Sequence, residues 1–274
     1  MEKENTSQQD AALLGSVEPH APMLTVPSDD HLLYKIMKVE NLLRSISGSY
    51  LHFNRVDAYD DDPNDGRQVL LDQPGNADTR FLKRPDFSAE NYYDQSRART
   101  YACCFSIENS NHIWRNYANG SKHGKACVVF NFGRLRSTLN QMLQTENSAL
   151  EYNGVRCRQI FSINYGIVEY VDWKNYRANA ERLTNPIKYT YLKDEKLFGK
   201  EKELRISLAA CGLGQFCLND GTQMEFPPNL QMYFNFKVAI ADGTIEKVIL
   251  APDAKFDLLR DEMSNLGILP KVVD

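Results

Sequence analysis

The chain has 274 residues, of which 42% are hydrophobic and 25% charged, and its formal net charge is −4. This composition is typical of a globular protein with a sizeable core; it argues against a histone-like or polybasic protein but does not exclude a local basic cleft. No run approaches the roughly 18 uncharged apolar residues of a membrane span, and the polar, acidic start MEKENTSQQD lacks the features of a signal peptide. We therefore expect a cytoplasmic protein with no membrane partner.

The first part of the chain combines polar segments with short apolar ones. Residues 1–30 are polar and contain prolines, which predicts a mobile N-terminal arm. Apolar spacing then predicts a strand, a helix and a strand, over 32–37, 39–46 and 50–53. Residues 54–98 are rich in Asp, Asn, Pro, Gly and Arg and are too long for a plain connection, so we expect either a functional loop or a small insertion with short helices.

The rest of the chain alternates irregularly between predicted strands and helices. Strands are expected over 99–106, 125–132, 155–171 (or a hairpin), 204–210, 232–240 and 245–250. Helices are expected over 109–118, 135–142, 173–198 with a break at Pro186, and 256–266. Because there is no regular βαβα order, we predict a single α+β domain over 31–274, with a mixed, largely antiparallel central sheet flanked by helices.

Potential metal ligands show no motif spacing. The cysteines contain no CxxC pair and the histidines no HxxxH or HExxH, which argues against a metal enzyme. The segment 60–66 resembles a calcium loop, but Pro63 occupies position 3 of the loop, a ligand position, and Asp72 stands at position 12, where glutamate is usual. We interpret this segment as a solvated turn and expect no bound metal.

Three charged residues near the start of a predicted strand form the most informative motif. Glu201, Glu203 and Arg205 lie two apart, so in a strand they face the same side. Three charges on one face are expected at a solvent-exposed surface or in a cleft, because burying them in the core is costly. Two alternatives follow, a solvated face with a surface ion pair, or a cleft whose two carboxylates and arginine bind or polarise a substrate.

Two aromatic residues in the centre of the chain are also ambiguous. Trp114 and Tyr117 are three apart on a predicted helix, and several asparagines surround them. Aromatic side chains at this spacing usually pack in a core. In such polar company, a ring that stacks on a flat ligand is the other possibility.

These motifs, taken in order, resemble a bacterial family known as domain of unknown function number 2971. The motifs lie within residues 31–260 and are Leu33-Tyr34-Lys35, Asp62-Pro63-Asn64-Asp65-Gly66, Cys104-Phe105-Ser106, Trp114-x-x-Tyr117-Ala118 followed by Gly124, and Glu201-x-Glu203-x-Arg205. The family loop has FNDPFD where this chain has DDPNDG. The resemblance marks Asn64 and Asp65 as candidate binding residues.

The motif order is also similar, more distantly, to that of the ADP-ribosyltransferases. Their first strand carries His or Arg, a second Ser or Tyr, and a later one Glu, often as ExE. The resemblance implies an ADP-ribosyltransferase-like fold, NAD as co-substrate without a metal, and Lys35 in the place of His or Arg. The implied catalytic residues are Glu203, Glu201, Lys35 and Ser106. The implied binding residues are Tyr34, Arg99, Trp114, Tyr117 and Arg205.

The same resemblance suggests roles for these side chains. Breaking the bond between nicotinamide and ribose builds positive charge on the sugar, which Glu203 would stabilise. Glu201 would orient or deprotonate the acceptor. Trp114 or Tyr117 would stack on nicotinamide, and Arg99 or Arg205 would hold the pyrophosphate.

Three functional hypotheses follow. The first is an NAD-dependent ADP-ribosyltransferase that modifies a protein or nucleic acid, as a toxin or defence effector with an antitoxin-like or regulatory partner. The second is a non-catalytic module of a defence system, which binds a nucleotide or nucleic-acid end through the same arginines and aromatics. The third is a magnesium-dependent phosphodiester hydrolase built on the acidic 57–65 loop, for which no second carboxylate cluster is identifiable.

Overall fold

The computed structural model describes residues 24–81, 83–144, 150–157, 160–178, 185–210, 215–265 and 271–272. The strands are β1 (Leu32–Lys38), β2 (Tyr50–Arg55), β3 (Arg80–Phe81), β4 (Arg84–Ser88), β5 (Thr100–Ser106), β6 (Lys125–Asn131), β7 (Leu150–Tyr152), β8 (Val155–Cys157), β9 (Ile160–Ile167), β10 (Glu169–Val171), β11 (Leu192–Asp194), β12 (Glu203–Ala210), β13 (Phe216–Cys217), β14 (Gln223–Met224), β15 (Asn229–Tyr233), β16 (Ile245–Leu250) and β17 (Lys271–Val272). The helices are α1 (Val39–Gly48), α2 (Gln73–Asp78), α3 (Ala89–Arg97), α4 (Asn111–Asn116), α5 (Phe132–Gln144), α6 (Pro186–Thr190), α7 (Glu195–Phe198), α8 (Phe236–Ala241) and α9 (Phe256–Asn265).

An eleven-stranded sheet dominates the described part of the chain. Its main path runs β17-β16-β6-β1-β5-β2-β15-β7-β8, and β12 pairs with β5 and with β9. Neighbouring strands in this sheet are antiparallel, apart from β16 and β17, which pair in parallel. The predicted α+β class with a largely antiparallel sheet flanked by helices is confirmed.

Strands β5 and β12 alternate in polarity, which gives the sheet two unlike faces. The apolar face carries Tyr101, Cys103 and Phe105 from β5, and Leu204, Ile206 and Leu208 from β12. These residues belong to the main hydrophobic core, which also contains side chains from helices α1, α5, α8 and α9. The side chains between them in sequence therefore project onto the opposite face, which we call the polar face.

A second layer of the fold covers the polar face. It contains the described residues of 54–98, together with residues 168–178 and 185–198, which share a smaller hydrophobic cluster of Val69, Ala89, Tyr93, Val171, Trp173, Tyr189 and Leu192. Tyr191 of this layer lies directly against the sheet, because a Cβ built at Gly166 would come within 2.7 Å of its ring. The Tyr191 hydroxyl also lies 2.9 Å from Ser207 Oγ.

Segment 54–98 contains regular structure of its own. A 3₁₀ turn at Val56–Ala58 is followed by helix α2, the hairpin β3–β4 and helix α3. Helix α3 starts with a reciprocal cap in which Ser88 and Asn91 each bond the other's main chain. The segment thus has the short helices expected of a small insertion.

Two predicted elements are wrong. Residues 173–198 were expected to be mainly helical, and 179–184 of them lie outside the described residues. In the described part, 173–178 contain no helix, and helix α6 begins at Pro186 and gives way to strand β11. Proline is favourable in the first helical turn, because an N–H group at that position has no acceptor within the helix and nothing is lost when it is missing. Asn185 caps the helix. The strand expected over 232–240 ends at Tyr233, after which Asn235 caps helix α8.

The predicted arm, residues 1–30, falls mostly outside the described residues, since the structure describes only 24–30 of it. In that stretch Leu24 is buried against Ile187 and Tyr191, and the Thr25 carbonyl accepts a hydrogen bond of 2.8 Å from the Ile167 amide. Among the described helices, none has both the length and the apolar character that a membrane span requires.

Candidate functional site

The strand register brings three of the predicted site residues side by side. Tyr34 of β1 lies opposite Ser106 of β5, and Ser106 lies opposite Glu203 of β12. Residues directly opposite each other on neighbouring strands point to the same face. Positions 34, 106 and 203 therefore form a row across one end of the polar face.

Six charged side chains lie around this row, and we call them the ionic cluster: Asp62, Asp65, Lys193, Glu201, Glu203 and Arg205. Arg205 has no exposed surface. Its guanidinium donates two hydrogen bonds to the Asp65 carboxylate, at 2.5 and 2.9 Å, and its Nε donates to Glu203 Oε1 at 2.8 Å. A further bond of 2.8 Å reaches the Thr190 carbonyl, so sheet and second layer are joined through this one side chain.

Lys193 of strand β11 joins the two glutamates. Its Nζ lies 3.1 Å from Glu201 Oε2 and 3.1 Å from Glu203 Oε2, and a longer 3.8 Å contact reaches Asp62. The ammonium also lies over the Phe198 ring, 4.6 Å from its centroid. Lys193 is not among the predicted site residues, because its segment was interpreted as part of a helix.

The electrostatics of the ionic cluster leave an excess of negative charge, since four carboxylates against two cations give −2 at neutral pH. Burial alone would raise the pKa of Glu203, but Arg205 and Lys193 outweigh burial and hold that pKa below its usual range. Burial likewise opposes the charge of Lys193, but the carboxylates of Glu203, Asp65 and Glu201 together outweigh burial, so the pKa of Lys193 is raised. For Asp62, burial and the nearby Asp65 raise the pKa.

Two local backbone features aim the carboxylates. The turn that carries Asp65 closes with an Asp65 amide to Asp62 carbonyl bond of 3.0 Å and continues through Gly66, whose φ is +69°. Lys202 has a φ of +50°, a left-handed conformation between Glu201 and Glu203. This kink at the start of β12 lets both glutamates contact Lys193.

The end of the ionic cluster nearest the surface is at Glu201. The Tyr117 hydroxyl, on a residue that is 37% exposed, donates a hydrogen bond to Glu201 Oε1. Ser106 Oγ donates to the Glu201 main-chain carbonyl at 2.8 Å, and the Tyr170 hydroxyl accepts from the Glu203 amide at 2.8 Å. These contacts fix Glu201 between a buried lysine and a partly exposed tyrosine.

Other predicted site residues lie elsewhere. Lys35 is on the opposite side of β1 from Tyr34, where its ammonium donates to the Cys104 carbonyl at 3.0 Å and lies 4.9 Å from the Phe105 ring centroid. Arg99 precedes β5 at the end farthest from Ser106, about 20 Å away at the usual rise per residue. Trp114 is half-buried, and its indole donates to Asn109 at 2.7 Å.

The acidic 60–66 segment differs from the expected solvated turn. Asp62 and Asp65 are 8% and 2% exposed and turn inward to Lys193 and Arg205, whereas Asn64 is exposed on the outer side of the turn. Arg205 also differs from the expected wet surface or cleft. It lies in a sealed interior, where each of its three guanidinium nitrogens donates to an acceptor. Within the described residues, no group of three or more His, Cys, Asp and Glu side chains has a geometry suited to a metal ion.

No family model matches the chain, and no curated protein matches it. The two resemblances drawn from the motif order therefore stay predictions.

Proposed function

We propose that the protein is an NAD-dependent ADP-ribosyltransferase-like enzyme whose reaction takes place at the Glu201 end of the ionic cluster. The observation that carries the proposal is the convergence of Tyr34, Ser106 and Glu203 in one row, with Glu201 hydrogen-bonded to Tyr117 beside them. These residues are far apart in sequence. At one end of the sheet they bring together the Glu201 carboxylate, an aromatic ring and an excess of negative charge.

The charge of the cluster suits the chemistry. As nicotinamide leaves with the electron pair of its bond to ribose, the sugar becomes cationic, and fixed negative charge nearby stabilises that state. Glu203 and Glu201 supply this charge. A nucleophilic group of the acceptor then bonds to the ribose carbon and gives its proton to Glu201, whose second oxygen stays bound to Lys193.

The pyrophosphate contact has to come from other side chains than those first expected. Arg205 is fully buried and held by two carboxylates, and Arg99 lies at the far end of β5. Lys200 and Lys202 flank Glu201 and are exposed. We assign the phosphate contacts of the proposed co-substrate to these two lysines.

The test is transfer of label from NAD, radioactive in its adenylate phosphate, to macromolecules of a cell lysate, with nicotinamide release measured in parallel. Glu201→Gln and Glu203→Gln are each expected to lower transfer by about 100-fold or more. Glu246→Gln changes an exposed carboxylate of strand β16 and is the matched control.

Circular dichroism and a melting curve for each variant separate loss of chemistry from loss of fold. The enzymatic proposal fails if the wild type transfers no label and releases no nicotinamide. It also fails if a folded Glu201→Gln variant and a folded Glu203→Gln variant both transfer label at the wild-type rate. The acceptor, a protein or a nucleic acid, is identified by which treatment, protease or nuclease, removes the label. In the proposed setting, a toxin or defence effector of the cytoplasm, an antitoxin-like partner would suppress transfer.

One observation favours the alternative, a module that binds a nucleotide or nucleic-acid end without turnover. Glu203 is 4% exposed and is neutralised by both Arg205 and Lys193, as expected for a structural ion pair. This alternative expects nucleotides to raise the melting temperature while nicotinamide release stays at background. A melting temperature unchanged by NAD, ATP and short oligonucleotides would contradict it.

A further inference from the structure

A small cavity lies beside the ionic cluster, under the 60–66 turn. Its volume is about 160 Å³, and its lining includes Asp61, Asp62, Trp173, Leu192, Lys193 and Asp194. At about 30 Å³ for each water in the liquid, this volume matches about five waters or an organic group of about five heavy atoms. The cavity is thus large enough for the end of a ligand but not for a whole nucleotide.

The walls of the cavity are largely apolar and aromatic. Trp173 is 8% exposed and Leu192 is fully buried, and both belong to the hydrophobic cluster of the second layer. Phe198 and the 70% exposed Leu197 come from the short helix α7. Water gains few hydrogen bonds against such walls, so an alkyl or aromatic body is the better occupant.

The charges at the cavity favour a cation. Among the described residues of its lining, Lys193 is the one positive side chain, and both Glu201 and Glu203 already hold it at 3.1 Å. Asp62, which is 8% exposed, lies 3.8 Å from that ammonium, beyond hydrogen-bond distance. Asp61 and Asp194 add two more carboxylates, so negative charge exceeds positive charge around an aromatic chamber.

We propose that this cavity binds a small organic cation, an ammonium group on an alkyl body of about four carbons. The ammonium would pair with the Asp62 carboxylate, while the alkyl body packs between Trp173 and Leu192 within reach of the indole face. Anions of the same size are disfavoured by the carboxylates. The inference concerns equilibrium binding only and does not depend on the NAD chemistry proposed above.

The experiment uses the indole N–H signals in a proton–nitrogen correlation spectrum of the full chain. The chain has two tryptophans, so two such signals exist, and Trp114→Phe assigns them. Titration with n-butylammonium is expected to shift the Trp173 signal to saturation and to leave the Trp114 signal in place. Butyrate and 1-butanol share the carbon skeleton and test charge and apolar contact separately.

Asp62→Asn keeps the shape of the side chain and removes its charge, and it is expected to weaken butylammonium binding by about tenfold or more. Asp220→Asn, an exposed carboxylate away from the cavity, is the control and should bind as the wild type does. The proposal is overturned if butylammonium, butyrate and butanol shift Trp173 alike, or if no probe shifts it. Because that three-probe comparison uses the wild type, it stands even where Asp62→Asn does not fold. A folded Asp62→Asn variant with undiminished affinity overturns the role of Asp62.

Discussion

Strand β12 is buried on both faces, and the two faces carry side chains of opposite character. The apolar face presents Leu204, Ile206 and Leu208, and the polar face presents Glu203, Arg205 and Ser207. Burial on the first face is favourable in itself, at about 1.5–3 kcal/mol for a large aliphatic side chain. Burial on the second is unfavourable unless each charge meets a partner.

The difference lies in what each face requires from the rest of the chain. The apolar face needs neighbours of suitable size, and many hydrophobic residues can serve. The polar face needs particular groups at fixed positions, which Asp65 and Lys193 supply from the second layer. The two faces should therefore respond differently when one neighbour is removed, and the following variants test that contrast.

The largest effect is expected from Asp65→Ala, which removes the bidentate partner of Arg205. An arginine left buried with an incomplete set of acceptors is costly, so the free energy of unfolding should fall by about 3–5 kcal/mol. Urea unfolding at neutral pH, followed by circular dichroism, measures the loss.

The matched control for that variant is Asp86→Ala, which removes the partner of Arg84 in an exposed pair whose side chains are 61% and 72% exposed. It should leave the urea midpoint unchanged, because surface pairs contribute little. Equal losses for the two variants would mean that the Arg205 side chain is hydrated in solution, contrary to its burial.

Ile206→Ala tests the apolar face of the same strand. Ile206 has no exposed surface, and truncation should lower the free energy of unfolding by about 2–5 kcal/mol through lost apolar contact and a cavity. Because no charge is involved, the loss should be the same at low and high salt. A strongly salt-dependent loss would contradict the assignment of Ile206 to the hydrophobic core.

The apolar face could be predicted from sequence because its signal is local. Apolar residues two apart, Tyr101, Cys103 and Phe105 in one segment and Leu204 and Ile206 in the other, are typical of strands, and the structure places these side chains in the core. The α+β class followed from such segments. The wrong strand prediction over 232–240 also has a local cause. The apolar residues there fit either a strand or a helix, and the cap formed by Asn235 starts a helix.

The partners on the polar face could not be predicted in that way. Arg205 and Asp65 are 140 positions apart, and an acidic, proline-containing turn gives no local sign of burial. Lys193 was missed because its segment was assigned a helical period, although Tyr191, just before strand β11, is a residue type that favours strands. The spacing of Glu201 and Glu203 predicted that their side chains face the same side, but not what they contact.

The smallest expected effects concern two carboxylates of the ionic cluster that should respond to pH in opposite directions. Burial opposes the charge of Glu203, but Arg205 and Lys193 outweigh burial and lower its pKa. The Glu203 charge therefore stabilises the fold at pH values above the ordinary pKa of a glutamate, and this stability is lost as the pH falls. Glu203→Gln should therefore lower the free energy of unfolding at pH 7 by about 2–3 kcal/mol, and by less as the solution becomes acidic.

Asp62→Asn should do the reverse. Burial and Asp65 raise the pKa of Asp62, so the ionised carboxylate destabilises the fold at neutral pH. Protonation removes this cost as the pH falls through the raised pKa. Removing the charge should stabilise the fold at pH 7 by a smaller amount, and this gain should disappear in acid. Unfolding of both variants and the wild type at pH 7 and at pH 4 measures the two signs. If both variants destabilise the fold equally at pH 7, then Lys193 neutralises Asp62 as fully as it neutralises Glu203. In that case the ionic cluster holds no unneutralised carboxylate that could bind a cation.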